Sequence, residues 1–185
     1  MKKTLIVSSC LIGLLTLGGC ATSGNQDENY AERTPGAKVE DSNIQSKIFD
    51  ALNAADARYG DAHVNVDSYN SNVLLTGQVP SDDLKQRATE IARDVRSVRQ
   101  VHNELMVSAN TPVSQRMTDT WITGRIKANI VANEDLDANL IRVITENGTV
   151  YLMGLVTQQQ ASEATAAASG VGGVQRIVKV FEYLN

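Results

Sequence analysis

Met117-Thr-Asp-Thr-Trp-Ile-Thr-Gly-Arg-Ile-Lys127 holds the only tryptophan in the chain, with Arg125 one helical turn beyond it and Lys127 close by. An indole has an apolar body and a hydrogen-bonding N–H, which suits it to the boundary between water and lipid. Neighbouring cations each gain roughly 1 kcal/mol near an anionic surface. The chemistry on offer here is therefore recognition. His63 and His102 fall on different expected strands or strand ends, with no cysteine partner and no metal-ligand spacing, so both read as structural. The carboxylates form no pattern beyond helix caps and solvated faces. Neither a nucleophile elbow nor a phosphate-cradling loop occurs, and Gly170-Val-Gly-Gly173 reads as a helix stop and turn. The expectation is a non-enzyme without cofactor, metal or small-molecule substrate.

The beginning of the chain bounds where this chemistry operates. Lys2 and Lys3 precede a short apolar run that ends in Leu17-Gly-Gly-Cys20. The run is too short for a spanning helix and reads as a secretory signal over residues 1–19. Leu-Gly-Gly-Cys resembles the bacterial lipobox, which implies acylation of Cys20, and Ala21 after it implies sorting to the outer membrane. Cys10 would leave with the signal, so no disulfide is expected and packing alone must hold the fold. The formal charge of −4 becomes −6 without Lys2 and Lys3, which argues against nucleic-acid binding. The polar stretch from Ala21 to about Lys38 lacks the apolar side chains needed to offset ordering entropy and is expected to be a flexible tether, set at residues 20–40 with its lipidated cysteine.

The remainder is one unit used twice. Asp41, Ile44, Ile48 and Leu52 match Asp119, Ile122, Ile126 and Ile130 at a shift of 78. Val64, Val66, Val73, Leu75, Gly77 and Val79 match Ile141, Val143, Val150, Leu152, Gly154 and Val156 at a shift of 77. Ala88, Ala92, Val95, Val98 and Val101 match Ala164, Ala168, Val171, Val174 and Ile177 at a shift of 76. Each copy predicts a helix opened by an Asp N-cap (43–54, 120–132), a hairpin (62–68 with 72–79, 139–145 with 149–156), a second helix (82–96, 158–169) and a last strand (99–107, 174–183). The class is α+β: two tandem α-β-β-α-β domains, at 41–109 and 117–185, each a three-stranded sheet with two helices on one face. Gly77 and Gly154 are expected where a helix closely approaches the sheet.

This tandem, with second strands VLLTGQV and VYLMGLV and last strands VRQVHNELMV and VQRIVKVFEYL, resembles the BON domain family. Two such units behind a lipobox imply a lipid-anchored outer-membrane protein facing the periplasm. The resemblance further implies support of outer-membrane integrity and binding of anionic phospholipid by the second domain.

The duplication itself bears on Trp121. Its counterpart is Asn43, one residue or about 100° off the buried stripe, so deep burial is not expected. Met117, Trp121, Gly124 and Ala128 share one flank of the helix, and Arg125 and Lys127 are placed to meet headgroups. The phospholipid-binding set is therefore Met117, Trp121, Gly124, Arg125, Lys127 and Ala128. The first domain offers Lys47 but no aromatic residue on that flank, so strong bilayer binding is not expected of it. Two alternatives stand beside this reading. Trp121 could cover the other domain or the linker TPVSQR, or it could be the hot spot of a protein–protein adaptor for outer-membrane assembly proteins. A stress-related periplasmic chaperone would need neither contact.

Overall fold

The structure, a computed structural model, describes residues 32–184. Each half builds a two-layer α+β unit. In the first, helix α1 (Pro35–Ala55) and a short helix α2 (Arg58–Asp61) lead into strands β1 (His63–Tyr69) and β2 (Asn72–Val79), helix α3 (Asp82–Asp94), and strands β3 (Gln100–Asn103) and β4 (Met106–Val107). In the second, helix α4 (Val113–Val131) and a 3-10 turn (Ala138–Leu140) precede β5 (Ile141–Glu146), β6 (Thr149–Val156), α5 (Gln158–Ser169) and β7 (Arg176–Tyr183). β1 runs antiparallel to β2, with β3 and β4 parallel to it; β5, β6 and β7 repeat the order β1-β2-β3.

The repeated apolar positions become two cores. Ile44, Ile48 and Leu52 of α1 meet Leu84, Ala88 and Ala92 of α3 over Val73, Leu75 and Val79 of β2. Ile122, Ile126 and Ile130 meet Ala161, Ala164 and Ala168 over Val150, Leu152 and Val156 in the second copy. Both helices thus lie on one face of each sheet.

The opposite faces of the two sheets pack on each other. Tyr69 and Leu74 from the first domain join Tyr151, Met153 and Val180 from the second in a third apolar cluster. Its rim is polar and paired across the junction: Arg142 with Asp67 at 2.5 Å, Arg99 with Glu182 at 3.0 Å, and Arg176 with Glu104 at 3.2 Å. The Tyr69 hydroxyl donates to the Leu140 carbonyl at 2.9 Å, and buried Glu146 accepts from Gln78 at 2.7 Å and Asn65 at 3.2 Å. A buried carboxylate needs such partners to stay in place. The result is four layers, helix, sheet, sheet and helix.

Several expectations are corrected. Residues 35–40, assigned to the tether, are helical: Thr34 is the N-cap, its hydroxyl accepting from Ala37 N–H at 3.1 Å, and Pro35 occupies a first-turn position where no N–H is needed. Likewise α4 begins at Val113, inside the presumed linker. Asp41 and Asp119 are therefore mid-helix residues, not N-caps. Each is buried and reaches across to the tip of its own hairpin. Asp41 accepts from the backbone N–H groups of Asn70 (2.9 Å) and Ser71 (2.8 Å), and from the Ser68 hydroxyl (2.7 Å). Asp119 accepts from the N–H groups of Asn147 and Gly148, both at 2.9 Å. All four turn residues have positive φ, as a type I′ turn requires, and the carboxylate supplies the acceptor that the inward-facing amides lack.

The glycines also have a different cause. A Cβ on Gly77 would overlap the carbonyl oxygen of His63, and one on Gly154 that of Leu140, so what approaches is the chain entering the preceding strand and not a helix. Gly77 additionally has φ +111°. The single strand expected over 99–107 is interrupted because Asn103 Oδ1 takes the N–H of Leu105 at 3.0 Å, while its amide donates to Lys85 O and Thr89 Oγ1. Lys179, which holds the matching place in the second copy, offers no such acceptor, and β7 runs on unbroken.

Candidate membrane-contact site

Helix α4 positions the site. Asp119, Ile122, Ile126 and Ile130 are its buried residues, and they fix which way the rest of the helix points. Opposite them runs an exposed line of Val113, Met117, Trp121, Gly124, Ala128 and Val131, spaced by three and four residues along the whole helix. Met117 is 69% and Trp121 56% exposed. Trp121 takes no part in the apolar cluster between the domains. Its counterpart Asn43 is exposed as well.

At 100° per residue, Arg125 lies along one side of this line and Lys127 along the other. Both are exposed, and neither belongs to a salt bridge among the described residues. A Cβ placed on Gly124 meets nothing within 4 Å, so no packing demand accounts for a glycine in mid-helix there. The arrangement is a second, exposed apolar stripe opposite the buried one, with a cation on each flank. Reading the repeats alone missed the two ends of the stripe, Val113 and Val131; both follow from the same spacing once the helix is known to start at Val113. No helix among the described residues is long and apolar enough to cross a membrane. Cys20 and the signal-like run lie outside the described residues.

Two stretches, residues 40–109 and 118–185, match the BON domain. The chain belongs to the BON-domain family. Relatives align with most or all of the chain: the outer membrane lipoprotein DolP of Haemophilus influenzae is 36% identical, over 100% of this chain and 94% of that protein. The 21 kDa hemolysin of Actinobacillus pleuropneumoniae is 34% identical over 87% of this chain and 83% of its own length. The osmotically-inducible protein Y of Escherichia coli is 29% identical over 94% of each. The α4 stripe thus sits on the first helix of the second BON domain, while α1 of the first BON domain carries Val39 and Phe49 as its exposed large apolar side chains, not in one continuous line.

The histidines belong to other surroundings. His63 Nε2 lies 3.4 Å from Glu146 Oε2 at the junction between the BON domains. His102 is partly buried, and desolvation pushes its pKa below the ordinary histidine value.

Proposed function

We propose that this BON protein is a lipid-anchored component of the outer membrane, facing the periplasm, whose second domain binds anionic phospholipid through α4. The observation that carries this reading is the stripe from Val113 to Val131 with Arg125 and Lys127 on its two flanks. Trp121, Met117 and Val131 enter the headgroup boundary, where Gly124 and Ala128 let the helix lie close to the surface. The two cations reach the phosphates beside it and set the preference for anionic lipid. Acyl chains on Cys20 hold the body at the membrane, so α4 binds at high effective concentration and can be weak by itself. It then governs orientation and lipid preference, and through them the support of outer-membrane integrity.

The test uses the chain from Ala21 onward, without acyl groups, and its single tryptophan as the reporter. Vesicles rich in phosphatidylglycerol should shift Trp121 emission to the blue and allow quenching by brominated acyl chains; phosphatidylcholine vesicles should do neither. Arg125→Ala should weaken partitioning about fivefold, the equivalent of roughly 1 kcal/mol. Emission unchanged by either vesicle refutes the lipid reading and favours the adaptor, in which the same exposed indole meets a protein.

A further inference from the structure

The outer edges of β1 and β5 each pair on one side only. Both open into a groove of about 890 Å³ whose walls are α1 and α4 and whose floor includes residues 63–67 of β1 and 143–146 of β5. A second cavity, of about 560 Å³, shares Asp67, Val143 and Ile144 with it and adds Ile141 and Arg142. One continuous trough therefore follows the free edge of β5 along its whole length. Proteins commonly guard such an edge with lysine, proline or a bulge. β5 has none of these guards in its sequence IRVITE, and its two charged residues, though they line the trough, are held by the other domain, Arg142 by Asp67 and Gln45, and Glu146 by Gln78 and Asn65. Its protection is positional: flanking helices keep a second sheet away and leave room for one strand.

Charge then selects the strand. The flank of α4 that faces the trough presents Arg116, Thr120, Thr123 and Lys127. Arg116 and Lys127 are separated by about 16 Å along the helix, and neither is salt-bridged among the described residues. Most of the nearby acids are committed: Asp119 to its hairpin, Asp67 to Arg142, Glu146 to Gln78 and Asn65. Side chains four apart in an extended strand lie on one face about 14 Å from each other, within reach of both long cations.

We propose that β5 takes up an extended segment of a partner protein as an added strand, and that the segment carries acidic side chains four residues apart facing Arg116 and Lys127. Backbone hydrogen bonds to the β5 edge supply affinity and the two charges fix register. This site lies about a quarter turn around α4 from the lipid stripe and shares Lys127 with its flank, but the β5 edge and Arg116 play no part in the lipid reading.

The probe is a fluorescent octapeptide with glutamate at its second and sixth positions, threonine at the fourth and eighth and valine elsewhere, added to the chain from Ala21 onward. Anisotropy should rise saturably, and amide shifts should appear at residues 141–146. N-methylating the alternate peptide amides on one edge should abolish binding while methylating the other set leaves it intact, a readout that touches no protein residue. Arg116→Glu, at an exposed position, should weaken binding about tenfold. Absence of binding, or binding indifferent to which amides are methylated, overturns the proposal. So does binding that appears only after residues 21–31 are removed, which would assign the trough to the chain's own segment.

Discussion

Replacing Asp119 with alanine separates two roles that the same residue could have. As a helix cap it would be worth about 1 kcal/mol, and its loss would leave the hairpin untouched. In the structure the carboxylate is 3% exposed, accepts from Asn147 N–H and Gly148 N–H at 2.9 Å each, and also from Gln115 Nε2 at 3.1 Å. Truncation leaves two backbone donors at a positive-φ turn without acceptors. Each unsatisfied group costs about 1–3 kcal/mol, and water entering at the turn returns part of that, so the net loss should be about 3–4 kcal/mol. For a chain of this size that is a fall in Tm of about 10 °C. Asp119→Asn keeps one acceptor oxygen and should lose about half as much. Urea unfolding gives the energies, and hydrogen exchange at residues 147 and 148 locates them. A loss near 1 kcal/mol with both amides as protected as in the parent would refute the hairpin assignment.

Glycine positions should respond in opposite directions to alanine: Gly124→Ala should stabilise by about 1 kcal/mol, since nothing lies near its Cβ, whereas Gly77→Ala and Gly154→Ala should each cost more than about 2 kcal/mol because a backbone carbonyl must move. Thermal unfolding of the three variants checks this, and equal shifts would contradict it. Acid should expose the role of Asp41. Burial pushes its pKa up, but hydrogen bonds from Ser71 N–H, Ser68 hydroxyl, Arg33 and Asn70 N–H outweigh burial and hold it below the ordinary 3.8. A lowered folded-state pKa means its contribution is complete above the unfolded-state value near 3.8 and is lost as pH falls from there through the folded-state value. The stability gap between the parent and Asp41→Asn should therefore narrow from roughly pH 5 toward pH 2; a gap independent of pH would count against the hydrogen-bond network.

The fold was largely legible because duplication tests each reading twice. Ile44, Ile48 and Leu52 against Ile122, Ile126 and Ile130 placed the helix stripes. The hairpin of the second copy showed in Asn147-Gly148, and Asn43 opposite Trp121 marked the indole as exposed. The Asp residues were misread because an acid before an apolar stripe looks the same whether it caps its own helix or reaches sideways to a hairpin. Only the long-range partner differs, and spacing does not record it. The break between β3 and β4 hinges on a side-chain acceptor at Asn103 competing with the ladder, a local event absent at its counterpart Lys179 and not marked by the apolar pattern of either strand. The packing of sheet on sheet did leave a trace. Leu74 and Val73, or Tyr151 and Leu152, are apolar neighbours on opposite faces of one strand, which signals a sheet covered on both sides.

That covering has a consequence for how the molecule can be taken apart. Leu74, Tyr151, Met153 and Val180 are shielded only because each half lends its back to its sibling. A gene encoding one half alone would yield a body with an oily plate facing water, prone to clump or to borrow a second copy as a substitute. Copying the ancestral unit thus gave each half its own permanent mate, and it left the outward helices as the surfaces on which the siblings could diverge.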